Sequence, residues 1–274
     1  MDSYSIKRLG LRISAAPRRA WHSMTGNAGP DALFIWIPKS AGTSVFTALS
    51  ELGMRKFKSI DKTRHLFTGH GMATFSHLSV PMLVRAGAVD AAYVSRAFKF
   101  AFVRNPYDRC ASLYRYYIKM GRIPADTGFP AFLTQLEEEF RHKERPHPAP
   151  EAMSAKLRYY GEEFHHGRGE VWPVGLYNSL EWSQCRPQCD WLDGFAPGND
   201  ILVGRVETLD ADFKTVLDRL HAMAPQLDFS KLKVPRMNTT EKAGDSGKAG
   251  FFADPAHRRI VEFIHAADFE RFGY

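Results

Sequence analysis

Ala32-Leu-Phe-Ile-Trp-Ile-Pro-Lys-Ser-Ala-Gly-Thr-Ser44 is the stretch around which the chain is organised. Leu33 to Ile37 is a short apolar, β-prone run closed by a proline, and reads as a buried parallel strand. Pro38 to Ser44 is a tight turn of small residues. Val45, Ala48, Leu49 and Leu52 then repeat at i, i+3, i+4, i+7, a helix face that stops at Gly53. Strand, small-residue loop and helix N-terminus together form a device for holding phosphate. Backbone N–H groups converge on the anion there and the helix dipole favours it. An ordinary strand-to-helix turn is the alternative reading of the same residues.

The nucleotide-triphosphate form of this device is GxxxxGK[ST], and this loop departs from it. Lys39 comes early in the turn, and Gly42-Thr43-Ser44 stands where Gly-Lys-Ser/Thr would. An early lysine puts its ammonium beside the outer end of the anion, leaving the Thr43 and Ser44 hydroxyls and amides for the inner phosphate.

Working outward, 274 residues are enough for one full core. A formal charge of +7 favours anionic ligands such as nucleotides, sulfated or carboxylated glycans, or a membrane surface, with simple solubility charge as the alternative. Cys110 falls in a helical pattern as a small apolar residue. Cys185 and Cys189 have no second pair or nearby histidine to complete a zinc site, so no metal is expected. No stretch is long and apolar enough to span a bilayer, and the N-terminus lacks the apolar core of a signal peptide; a soluble cytoplasmic protein is expected. Residues 1–30 read as a basic arm (Lys7, Arg8, Arg12, Arg18, Arg19), either packed on the domain or making weak peripheral membrane contact.

After the first helix, Met54 to Arg64 is strongly basic. His65-Leu-Phe-Thr68 reads as a short strand delivering Gly69-His70-Gly71 to its end. A histidine between glycines is either a surface residue or one free to point into a cleft as a proton acceptor near neutrality. Phe98-Lys-Phe-Ala-Phe-Val103 is a second buried strand, followed at once by Arg104-Asn105-Pro106 and a helix from about Tyr107. Its apolar face is Cys110, Leu113, Tyr114, Tyr117 and Ile118, with Ser112 further along. In a doubly wound sheet both strand-turn-helix units face the crevice beyond the strands' C-terminal ends, where an arginine can grip a phosphate with two hydrogen bonds. Pro130 to Arg141 is an amphipathic helix. Ile201 to Val206 is a third buried strand, and Asp210 is placed to cap the helix after it. The final helix runs from about Pro255 to Phe269, burying Ile260, Phe263, Ile264 and Ala267.

Ile37-Pro-Lys-Ser-Ala-Gly-Thr-Ser44 with Phe102-Val-Arg-Asn-Pro-Tyr-Asp-Arg109 and Ser112 resembles the signatures of sulfotransferases that use 3′-phosphoadenosine 5′-phosphosulfate (PAPS). The closest resemblance is to the carbohydrate sulfotransferases that include the chondroitin, HNK-1 and heparan 2-O enzymes. Val203-Gly-Arg-Val-Glu-Thr-Leu209, Pro235-Arg-Met-Asn-Thr-Thr240 and Asp268-Phe-Glu-Arg-Phe-Gly-Tyr274 are similar to later family segments, so the likeness runs from about residue 31 to the end. It implies an α/β, P-loop-like three-layer fold with a central parallel sheet flanked by helices. One domain would span 31–274, with an acceptor-side insertion around 121–173. For the donor PAPS it implies a 5′-phosphosulfate site at Lys39, Ser40, Ala41, Gly42, Thr43 and Ser44. The 3′-phosphate site would be Arg104 and Ser112, and Thr239 and Thr240 would sit in a covering loop. His70 resembles the catalytic base of the heparan 2-O branch, with Thr68 where some relatives have a second histidine.

The expected reaction is transfer of a sulfuryl group from PAPS to a hydroxyl, most simply of a carbohydrate, with Lys39 and His70 catalytic and no metal. Clustered Arg and His in the insertion suit an anionic sugar, and a solvated surface accounts for them equally. Nucleic acid is not expected as a partner. The rival readings are a P-loop-type nucleotide kinase or NTPase, which wants GK[ST] and a metal carboxylate, and a non-enzymatic module binding anionic glycans or nucleotides.

Overall fold

A computed structural model describes residues 29–58, 60–121, 123–141, 183–196, 198, 200–235 and 250–274. Most of the basic arm and of the insertion lies outside them, as do Thr239 and Thr240. In chain order the elements are β1 (Ala32–Ile35), α1 (Gly42–Ser50), β2 (Arg55–Lys56), α2 (Ile60–Leu66), β3 (Met72–Thr74), α3 (Val80–Arg85), α4 (Ala91–Arg96) and β4 (Phe98–Val103). They continue with α5 (Pro106–Lys119), α6 (Phe129–Arg141), two short 3₁₀ turns at Ser183–Cys185 and Cys189–Trp191, β5 (Ile201–Arg205), α7 (Leu209–Met223), α8 (Pro255–Ile264) and α9 (Ala266–Phe272).

Where the sequence suggests one domain, the described residues divide into two compact units. Those up to Trp36, in Ser40–Val103 and in 194–235 form unit 1; those in Ile37–Lys39, 104–193 and 250–274 form unit 2. Both are built from discontinuous segments, so composition along the chain gives no sign of the division.

Unit 1 carries a parallel sheet, whose five strands among the described residues run in the order β2-β3-β1-β4-β5. All of β1 is buried, because a central strand covered on both faces must be apolar throughout. Alternate residues line one face with stacked rings, Phe34 lying 5.9 Å from Trp36 and 5.2 Å from Phe100. Helix α7 covers these rings with Phe213, Val216, Leu217 and Leu220. From β1 the chain crosses towards β3 and β2, and from β4 towards β5. The β1/β4 pair is therefore the switch point of the sheet, beyond whose carboxyl ends ligands bind in such folds.

The sheet corrects three expectations. His65 and Leu66 close helix α2, and the strand in this region is Met72–Thr74, after Gly71 rather than before Gly69. β5 is an edge strand with Val203 exposed, not a buried one. Thr208 rather than Asp210 stands at the N-cap of α7, with Asp210 in its first turn, while the Asp212 carboxylate accepts from Thr208 Oγ1 and Arg205 N–H, both at 2.7 Å.

Unit 2 packs α5, α6 and α8 around Leu113, Tyr117, Phe132, Leu133, Leu136, Val261 and Ile264. The expected single C-terminal helix is broken at His265 into α8 and α9. Phe263 and Ala267 are exposed, and Asp268 takes the fully buried position.

Candidate active site

In unit 1, β1 is followed by Trp36 and, after the turn, by Ser40 to Ser44. Ala41 has φ 56°, a left-handed conformation that costs a non-glycine residue on the order of 1 kcal/mol, and leads α1 without a side-chain cap. Ser44 and Val45 N–H donate to Ala41 O at 2.9 and 3.1 Å, so the amides ahead of them, Gly42 and Thr43, are the ones at the open end of the helix. Gly42 is there because nothing larger fits: a Cβ would lie inside the Trp36 indole ring. That indole is itself held by Phe34, Phe46 (5.7 Å) and the Lys56 ammonium (3.6 Å from the ring centroid). Ser40 and Ser44 are buried and Thr43 is half-buried.

His70 is not with these residues. It precedes β3, and the register pairs Ala32 with Met72, which puts His70 beside Asp31, at the amino end of the sheet. Asp31 accepts from Gly71 N–H (2.6 Å) and from Arg96 Nε (2.6 Å), and Arg96 also donates to Gly69 O. The exposed His70 ring has Nδ1 at 3.3 Å from Arg96 Nη2. Asp31 Oδ2 lies 3.8 Å from the same Nδ1. Helix α1 starts at the carboxyl end of β1, several strand residues away at ~3.3 Å each. Within unit 1, His70 therefore sits away from the loop that opens α1.

A second histidine lies nearer the loop. His77 follows the carboxyl end of β3, after Ser76 turns the chain with φ 54°. Its ring packs edge-on against Trp36, at 5.6 Å, and its Nδ1 lies 3.2 Å from Trp36 O. A carbonyl only accepts, so Nδ1 donates to Trp36 O. His77 thus shares one indole with Gly42. The sequence carries only a weak signal: the short stretch Met72-Ala-Thr-Phe75 precedes Ser76 and His77.

Unit 2 collects the cations. Lys39 has φ 65° and its ammonium sits 4.3 Å above the Tyr116 ring. Burial first, and then the charges of Arg104, Lys119 and Arg109, push its pKa down to about 8. Arg109, Ser112, Tyr116 and Lys119 follow one another at intervals of three or four residues and so share one face of α5. Lys39 lies against that face, which brings the buried Ser112 into its neighbourhood, and Arg104 is close enough for its charge to be felt. Arg109 is fully buried and donates to Pro38 O (3.0 Å), Arg186 O (3.0 Å) and Gln184 O (2.5 Å). Tyr116 and Arg109 were not expected as site residues.

Among the described residues, Cys189, Asp190 and Asp193 bring their ligand atoms within 4.8 Å of one another. Burial and the neighbouring carboxylates push the Cys189 thiol upward, which keeps it protonated and poor as a metal ligand.

Unit 1 is a parallel α/β sheet with a phosphate-type loop after β1, and unit 2 gathers cations suited to an anionic ligand. The chain belongs to the Sulfotransferase family, whose model matches residues 30–274, and it is a sulfuryl-transferring enzyme. Among solved structures it is similar to a sulfotransferase from Alicyclobacillus acidocaldarius, with 18% identity over 86% of this chain and 95% of that one and a TM-score of 0.40. No curated protein matches it. Family membership sets aside the kinase and non-enzymatic readings. Among the described residues no helix is long and apolar enough to cross a membrane.

Proposed function

We propose that the donor is PAPS, that the acceptor is a carbohydrate hydroxyl, and that His77 rather than His70 is the base. One observation carries the donor reading: Lys39 is held partly buried and among like charges, at a free-energy cost that an anionic ligand would remove. The cations and hydroxyl of unit 2 suit a nucleotide bearing phosphate at both ends of its ribose. Such a donor supplies the activated sulfuryl group. Lys39 stabilises charge developing on the leaving phosphate, and the amides of Gly42 and Thr43 act as fixed dipoles towards phosphate oxygens. Arg104 and Ser112 orient the 3′-phosphate. His77 Nε2 takes the acceptor proton, and Trp36 O stabilises the imidazolium that results by holding Nδ1–H.

Calorimetric titration in EDTA tests the donor. 3′,5′-Bisphosphoadenosine should bind without magnesium and at least about tenfold more tightly than ATP, a margin of about 1.4 kcal/mol; equal binding of ATP sinks the reading. With labelled PAPS and a panel of glycan acceptors, His77→Ala should lose about 100-fold or more in turnover at nearly unchanged nucleotide affinity. His70→Ala should retain most turnover. The opposite pattern would restore His70 as the base.

A further inference from the structure

Arg104 occupies an awkward stretch of backbone. It lies beyond the last residue of β4 and before Asn105, whose side chain caps α5 by accepting from Tyr107 N–H at 3.0 Å. Neither sheet nor helix supplies partners for its own N–H and C=O, and buried backbone groups need them. The fully buried Gln188 supplies both: its Oε1 accepts from Arg104 N–H and its Nε2 donates to Arg104 C=O, each at 2.8 Å. Gln188 is itself fixed, because its N–H and that of Cys189 donate to the two oxygens of Asp268 at 2.8 and 2.9 Å. Asp268 is fully buried and also faces His265 Nδ1 at 3.2 Å. At the other end of the same short segment, Gln184 O and Arg186 O take two donors of Arg109, whose third contact is Pro38 O, next to Lys39.

We infer that Gln188, anchored by Asp268, is a positioning residue that presets Arg104 for the donor's 3′-phosphate. Lys39 and Arg104 repel each other, so without a ligand their side chains favour moving apart. Backbone anchors at Pro38 and Arg104 resist that separation and keep the cations converged before an anion arrives, which lowers the ordering cost of binding. Gln188 touches no ligand in this scheme and acts through Arg104 alone. The inference rests on the reading of Arg104 as the 3′-phosphate group.

The test compares 3′,5′-bisphosphoadenosine with 5′-AMP, which lacks the 3′-phosphate, by calorimetry on the full chain. Gln188→Met keeps the side chain's length and apolar stem and removes both bonds. It should weaken bisphosphate binding about tenfold while leaving 5′-AMP within about twofold, the scale expected when a bonded buried amide is lost. In an Arg104→Ala background the same substitution should have no further effect on the bisphosphate. Should Gln188→Met fail to fold, Gln188→Asn retains the amide but cannot reach both backbone groups, and should give the same selective loss. Equal weakening of both nucleotides marks a merely structural role and overturns the inference, as does no change in either. A wild-type protein that binds the two nucleotides equally overturns the reading of Arg104 itself, and the inference with it.

Discussion

Lys39 meets its neighbours as a cation that is poorly hydrated and surrounded by like charge, and this has a consequence for pH. Its free pKa of about 8 must rise when an anion binds, since the anion favours the charged form. Between pH 8 and the bound-state value, binding therefore takes up a proton, and affinity falls as pH rises through 8. Calorimetry of 3′,5′-bisphosphoadenosine at pH 8.5, in two buffers of different ionisation enthalpy, should show net proton uptake that disappears in Lys39→Arg. Affinity that is flat from pH 7 to 9.5 would contradict the assignment. The two histidines illustrate the same scale. His70 and His77 are alike as residues, but one stands exposed beside a guanidinium and a carboxylate while the other donates to a backbone carbonyl.

At the scale of elements, β1, its loop and α1 depend on the contact between Gly42 and the Trp36 ring. Gly42→Ala has no room, because Trp36 is buried between Phe34 and Phe46. The substitution should cost about 1–3 kcal/mol of stability, as overpacked cores do. It should also displace the α1 N-terminus, so nucleotide affinity falls by more than tenfold; chemical denaturation and titration check the two effects separately. Wild-type affinity in a stable Gly42→Ala protein would mean that the loop does not bind the nucleotide. This element was legible from the sequence because its signals are local: an apolar run, a proline, small residues, then a 3.6 period. β4 and α5 were legible for the same reason. β3 was not, since three residues carry almost no periodicity and the apolar run at 65–68 competes with them. The exposure of β5 follows from its place at the sheet edge, a property of topology that no window of sequence contains. His77 became visible only once β3 was placed. Gln188 and Asp268 were hidden because their partners lie 84 and 80 residues away.

At the scale of the whole molecule, unit 2 is organised on buried charge and unit 1 on buried rings, and this predicts different responses to acid. Burial acts to raise the Asp268 carboxyl, but donors from His265 and Gln188 and the Arg109 charge outweigh it and hold the group at about 2, against an ordinary 3.8. Its contribution, on the order of 2 kcal/mol, is complete above the unfolded value and is lost as pH falls from about 4 towards 2. Burial lowers His265 below its ordinary 6.5 despite Asp268, so the folded ring stays neutral where the unfolded one takes a proton. That too removes stability as pH drops below 6.5. Both signs agree, and unit 2 should lose stability progressively from about pH 6.5 downward. Asp268→Asn sets an NH₂ group against the N–H groups of Gln188 and Cys189. It should lower the melting temperature markedly at pH 7 and much less at pH 2; the same deficit at both pH values would remove Asp268 as the acid-sensitive group.

The long reach of the Arg104 brace also bears on biosynthesis. A ribosome extending this chain completes β1 through β4 early, but Gln188 and then Asp268 emerge only after a further 84 and 80 residues. At about 5–20 residues per second that is a delay of roughly 10 s or more. During it the nascent chain holds its sheet without the tether on Arg104. Full affinity for a bisphosphate nucleotide should therefore arrive late, when α9 docks, and a ribosome stalled before residue 266 should carry a folded sheet that binds the nucleotide about tenfold more weakly than the finished chain.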